Sequence, residues 1–166
     1  MKLIHSPLQL KKFNLLQYEF KLILSESNKK INIKEDIFPK YVVDVNFAWK
    51  KNNDGQVVFC KLEINRVNEK EIGYSIVAEG MGIFKLEENT LEADAKNLIT
   101  YSAPSIVLQE LRALIRNNTF IAPHGAYVLP TINIQAQIRQ KIEALNAKKL
   151  PVKKTPAKKS IVRKKV

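Results

Sequence analysis

Between Phe13 and Leu86 apolar residues recur mainly at every second position, and from Thr90 onward at every third or fourth. The two periods belong to different backbones, because side chains alternate across a strand but realign only after three or four residues on a helix. A chain that shows first one period and then the other is constrained to an α+β fold, with strands and helices segregated along the sequence.

The strand half divides into four runs. In Phe13–Leu24, Leu16, Tyr18, Phe20, Leu22 and Leu24 share one side, opposite Gln17, Glu19 and Lys21. A polar stretch from Ser25 to Lys34 predicts a long crossover, with Ile31, Ile33, Ile37 and Phe38 as apolar anchors in and after its later part. Tyr41, Val43, Val45, Phe47 and Trp49 then line one face of a second strand that reaches Lys50. Asn52-Asn53-Asp54-Gly55 reads as a turn, since Asn and Gly tolerate positive φ and Asp-Gly is a strong hairpin signal.

A third strand, Val57–Val67, aligns Val58, Cys60, Leu62 and Ile64, and turns at Asn68-Glu69-Lys70 into a fourth, Ile72–Leu86. Gly80 and Gly82 in that strand predict a bulge, a bend or the close approach of another backbone. Short turns make the last three strands an antiparallel meander. The long first connection lets the first strand pair elsewhere, in a Greek-key manner.

In the helical half, Leu91, Ala95, Leu98 and Ile99 mark a first helix, which Pro104 is expected to interrupt. Val107, Leu108, Leu111, Leu114 and Ile115 mark a second, ending at Asn117-Asn118. Phe120–Pro130 is an apolar loop, and Ile134, Ile138, Ile142 and Leu145 define a third helix ending near Asn146. A body of this length, in a chain with 45% hydrophobic residues, supports one core and one domain, residues 1–147.

The formal net charge of +12 is concentrated beyond that body: nine cations and no acid follow Ala147, which leaves +3 on residues 1–147. Such a segment repels itself and has little apolar surface to offset chain entropy, so residues 148–166 are expected to be a disordered Lys/Pro/Ala tail. No run approaches the ~20 apolar residues of a membrane helix. Lys2, His5, Pro7 and Gln9 interrupt the region where a signal peptide would be apolar, so a cytoplasmic protein is expected. Cys60, a lone cysteine between apolar neighbours, reads as a small core residue. His5, His124 and the scattered carboxylates form no acid pair, metal-ligand spacing or nucleotide loop, so neither an enzyme nor a cofactor is expected.

Ordered landmarks punctuate this layout. Gly82-Ile83-Phe84 ends the fourth strand and Tyr101 with Pro104 precedes the main helix. Asn118-Thr119-Phe120 follows that helix, and Leu129-Pro130-Thr131-Ile132-Asn133 closes the loop. Over roughly Phe13 to Ile138 this set resembles the signature of SecB-type chaperones. The resemblance implies a four-stranded antiparallel Greek-key sheet followed by packed helices. It also implies an ATP-independent holdase, without cofactor, that keeps unfolded or precursor polypeptides from folding and is linked to protein export and translocation.

The implied assembly is a homotetramer, a dimer of dimers, and the implied further partners are the export ATPase SecA or, in a toxin–antitoxin role, an antitoxin. Carried over by position, the polypeptide groove comprises Phe38, Tyr41, Phe47 and Trp49. Leu111 and Ile115 from the helix, with Phe120, Ile121, Tyr127 and Leu129 after it, complete it. Core packing is the competing reading for each of these residues. The chain departs from typical members, which are acidic, in its basic tail and in Ser75 and Val77, near strand positions where acidic residues dock on SecA.

The rival function is non-specific nucleic-acid binding through Lys153, Lys154, Lys158, Lys159, Arg163, Lys164 and Lys165, which could neutralise phosphates without reading bases. A solubilising tail, or one that meets an acidic partner, fits the same residues.

Overall fold

A computed structural model describes residues 5–24, 32–52 and 55–149. Four strands, β1 (Leu8–Ile23), β2 (Val43–Asn52), β3 (Gly55–Ile64) and β4 (Gly73–Leu86), precede three helices, α1 (Glu92–Asn97), α2 (Ala103–Phe120) and α3 (Ile134–Lys149). The sheet order is β1-β4-β3-β2 with every neighbouring pair antiparallel. This is the expected Greek key: β2, β3 and β4 form the meander, and β1 lies beside β4. β1 and β2, which the crossover joins, are thus the two edge strands of the sheet. The described part of the crossover is a short π-helical turn, Ile33–Ile37, and a 3-10 turn, Phe38–Lys40.

One sheet face and α2 enclose the core. Val58, Cys60, Leu62 and Ile64 of β3 face inward as their alternation requires, opposite Gly82, Gly80, Ala78 and Ile76 of β4. On α2 the residues Pro104, Val107, Leu108, Leu111, Ile115 and Thr119 form the buried stripe, at the spacing that keeps one helical face on the sheet. Gly80 and Gly82 let that helix come close. A Cβ on Gly82 would stand 2.8 Å from Val107 Cγ2, and one on Gly80 would stand 2.8 Å from the Phe13 ring. Side chains, rather than another backbone, occupy the space the glycines leave.

Several boundaries differ from the sequence expectation for identifiable reasons. β1 starts five residues earlier than its expected start at Phe13 and contains two bulges, between Leu10 and Lys12 and between Leu15 and Gln17. Each bulge inserts an unpaired residue and so moves the inward set to the other parity: Leu8 and Leu10, then Phe13 and Leu15, then Tyr18, Phe20 and Leu22. β3 stops at Ile64 because Asn65 turns the chain with φ of 53°. Its buried amide donates to the carbonyls of Glu71 and Tyr74 and accepts from the Glu71 amide.

Pro104 does not break the helical path. A π-helical turn, Leu98–Ser102, joins α1 to α2, so the widened turn falls just before the proline, whose missing N–H sits in the first turn of α2. α2 continues to Phe120. Asn133 caps α3 by accepting the Ala136 amide at 3.0 Å. The expected turn residues Asn53 and Asp54 and the polar crossover residues 25–31 lie outside the described residues, as does the tail from residue 150. Lys148 and Lys149 belong to the end of α3.

Candidate polypeptide-binding groove

The crossover and the loop after α2 meet over the end of β4, where Tyr74 ties them together. Its hydroxyl accepts the His124 amide at 2.8 Å and donates to the Gly125 carbonyl at 3.0 Å, while its own amide donates to the Tyr41 hydroxyl at 2.6 Å. Tyr41 in turn donates to the Ile72 carbonyl. On the helix side, the buried Thr119 hydroxyl donates to the Ile115 carbonyl and accepts the Tyr127 amide at 2.8 Å. Arg112 donates to the carbonyls of Leu129 and Pro130. The loop is thereby fixed to both β4 and α2 along most of its length.

Rings pack on this frame. Phe38 lies 5.4 Å from Tyr41, 5.3 Å from Tyr74 and 5.2 Å, edge-on, from Tyr127, and Tyr41 lies 5.5 Å from Tyr127. Contacts of this kind contribute about 0.5–1.5 kcal/mol each beyond area burial. Beside these rings opens a groove of about 480 Å³ lined by Phe38, Pro39, Tyr41, Tyr127, Val128 and Pro130, together with Lys34 and Ala126. Across Val128 a second depression of about 370 Å³ is lined by Gln109, Arg112, Ala113, Arg116, Leu129 and Thr131.

Burial raises the Tyr41 hydroxyl to about 12, against a smaller lowering by the hydrogen bond from the Tyr74 amide. Burial, reinforced by Tyr41, raises Tyr127 as well. Both phenols therefore stay protonated across the neutral range. The Tyr127 hydroxyl and the Arg112 Nε are buried without a hydrogen-bond partner.

Of the ten candidate residues, Phe38, Tyr41 and Tyr127 line the groove, Phe38 half-buried and the two tyrosines nearly closed over. Phe47, Leu111, Ile115 and Leu129 are buried in the core, and Leu129 also borders the second depression. Trp49 lies elsewhere, on β2 beside Phe47, 36% exposed, with its indole N–H donating to the Ile99 carbonyl at 3.1 Å. Phe120 and Ile121 project into solvent at 73% and 88% exposure, next to the Thr119 hydroxyl that holds Tyr127. Val128, 69% exposed, joins them from the other side of that hydrogen bond.

Tyr74, Thr119, Arg112, Lys34 and Val128 were not among the sequence candidates. Tyr74 had a signal, since it continues the inward alternation of Ile76 and Ala78, but the contacts of the others depend on where two distant loops meet. The tail cations Lys153 to Lys165 lie outside the described residues. Cys60 is fully buried, and burial followed by the nearby Glu79 charge pushes its thiol up to about 12. Among the described residues no group of three or more His, Cys, Asp or Glu is gathered, and no helix is long and apolar enough to cross a membrane.

No protein-family model and no curated protein sequence matches the chain significantly. Among solved structures it is similar to the SecB-like chaperone Rv1957 of Mycobacterium tuberculosis, in complex with a ChAD peptide from the Rv1956 HigA1 antitoxin. That match has 12% identity and a TM-score of 0.48, and covers 76% of this chain and 88% of that one. It is also similar to a protein of unknown function from Streptococcus agalactiae, at 14% identity and a TM-score of 0.36, over 75% of this chain and 97% of that one.

Proposed function

We propose that the chain is an ATP-independent holdase that binds unfolded polypeptide in the groove between the crossover and the loop after α2. The observation that carries this reading is an open groove lined by Phe38, Tyr41, Tyr127 and the exposed Val128, in a protein that also exposes Phe120 and Ile121 where the loop leaves α2. Exposed apolar side chains on a frame fixed by hydrogen bonds form a surface suited to partners of many sequences. Burial is non-directional and worth about 25 cal/mol per Å² before ordering costs.

Precursors bound for export and an antitoxin are alternative clients of the same groove. Docking on SecA through β4 is not part of the proposal, because Ser75 and Val77 are buried and uncharged. The same reading carries a homotetramer built as a dimer of dimers. It is supported by β1, an edge strand of 16 residues that leaves Leu15, Leu16, Phe20 and Leu22 partly exposed.

Replacing Phe120, Ile121 and Val128 together by serine tests the groove. Each large apolar side chain buried against a client contributes about 1.5–3 kcal/mol at most, so even partial engagement predicts client affinity at least about tenfold weaker. Light scattering of a chemically unfolded substrate, with circular dichroism to establish folding, gives the readout. Undiminished suppression of aggregation by the folded variant would sink this reading.

A further inference from the structure

The groove and the depression beyond Val128 carry charge of one sign. Their ionisable cationic side chains are Lys34, Arg112 and Arg116, and no aspartate or glutamate lines either. The two ion pairs among the described residues, Lys61–Glu63 and Arg66–Glu19, leave all three of these cations without a carboxylate. Lys34 is held against the loop, its Nζ packed over Gly125. Carboxylates lie elsewhere: Glu87 and Asp94 line a separate cleft of about 510 Å³, together with Leu91 and Leu98.

An occupant rich in carboxylates offsets the charge of these three cations, whereas one rich in lysine adds to it. The chain's own distal segment, with seven cations and no acid after residue 150, is the wrong sign to fill this surface.

Resting on the polypeptide-binding reading above, we propose that the groove selects unfolded segments whose aromatic or large apolar residues are flanked by aspartate or glutamate, and disfavours lysine- or arginine-flanked ones. The apolar residue fills the space over Phe38 and Tyr127, and the flanking carboxylates meet Lys34 on one side and Arg116 on the other.

Two synthetic peptides with one shared aromatic–leucine core, flanked by aspartate and glutamate in one and by lysine in the other, test the selectivity by fluorescence anisotropy on the intact chain. A few partly exposed ion pairs of modest strength give the acidic peptide about tenfold tighter binding, a gap that narrows as salt is raised. Lys34 and Arg116 are exposed, so the double variants Lys34→Gln/Arg116→Gln and Lys34→Glu/Arg116→Glu are suited to keep the fold. The first is expected to remove most of the gap and the second to reverse it.

Equal binding of the two peptides, or tighter binding of the basic one, overturns the selectivity and leaves the holdase reading standing. A gap that survives both variants belongs to the basic tail and also overturns it. Binding of neither peptide overturns the selectivity alone if aggregation is still suppressed, and the holdase reading with it if suppression is absent.

Discussion

Thr119 shows how a single hydroxyl places the groove floor. Its Oγ1 is buried, returns its proton to the Ile115 carbonyl one turn earlier, and accepts the amide of Tyr127, eight residues ahead. Without that oxygen the Tyr127 N–H would be a buried donor facing a methyl group, since valine has the same shape and no acceptor. Thr119→Val is therefore expected to cost about 1–3 kcal/mol, the usual penalty for an orphaned buried polar group. Urea unfolding should show a lower midpoint at an unchanged slope, because the loss is local. An unchanged midpoint would mean that the loop finds another acceptor and that Thr119 does not set the position of Tyr127. Asn65 has a comparable role at the far end of β3, where its three side-chain hydrogen bonds hold a left-handed residue in the turn to β4.

At the level of elements, the contact between α2 and the sheet depends on the glycines of β4. A Cβ added at Gly82 would meet the Phe84 ring at 2.6 Å as well as Val107, so Gly82→Ala must push α2 outward or force Phe84 from its rotamer. Overpacking of this kind costs about 1–3 kcal/mol, and thermal denaturation should show it as a lower midpoint. A variant as stable as the parent would show that the helix has slack over β4. β3 was legible from sequence because four inward residues alternate without interruption. β1 was only partly so, because a bulge is an extra residue with no compositional mark, and two of them reverse the face twice. The π turn before Pro104 was hidden for a related reason: proline requires that the preceding hydrogen-bond pattern change, but a break and a widened turn satisfy it equally. The candidate groove divided along the same line. Phe38, Tyr41 and Tyr127 gather because the crossover and the loop after α2 meet. Leu111 and Ile115 have the helical period of a face, and period alone does not say whether core or solvent lies against it.

Across the whole molecule, the groove with its three cations lies apart in sequence from most of the excess positive charge, so the proposed polypeptide binding and the rival nucleic-acid binding can be tested separately. The groove is built entirely from residues 32–133, whereas seven of the cations that make the chain basic lie beyond residue 150. Because α3 runs to Lys149, removal of residues 150–166 cuts beyond the last described element and lowers the formal net charge from +12 to +5. On the proposed holdase and tetramer, the shortened chain is expected to suppress aggregation of an unfolded substrate as well as the parent and to have a solution mass near four times that of one chain. Binding to duplex DNA, measured by mobility shift, should be weaker in the shortened chain. Any binding by the parent should fall steeply with salt, because contacts to phosphate release counterions in proportion to their number. Loss of aggregation suppression on truncation would transfer client binding from the aromatic groove to the tail, and DNA affinity retained in full would move the nucleic-acid contact onto the body.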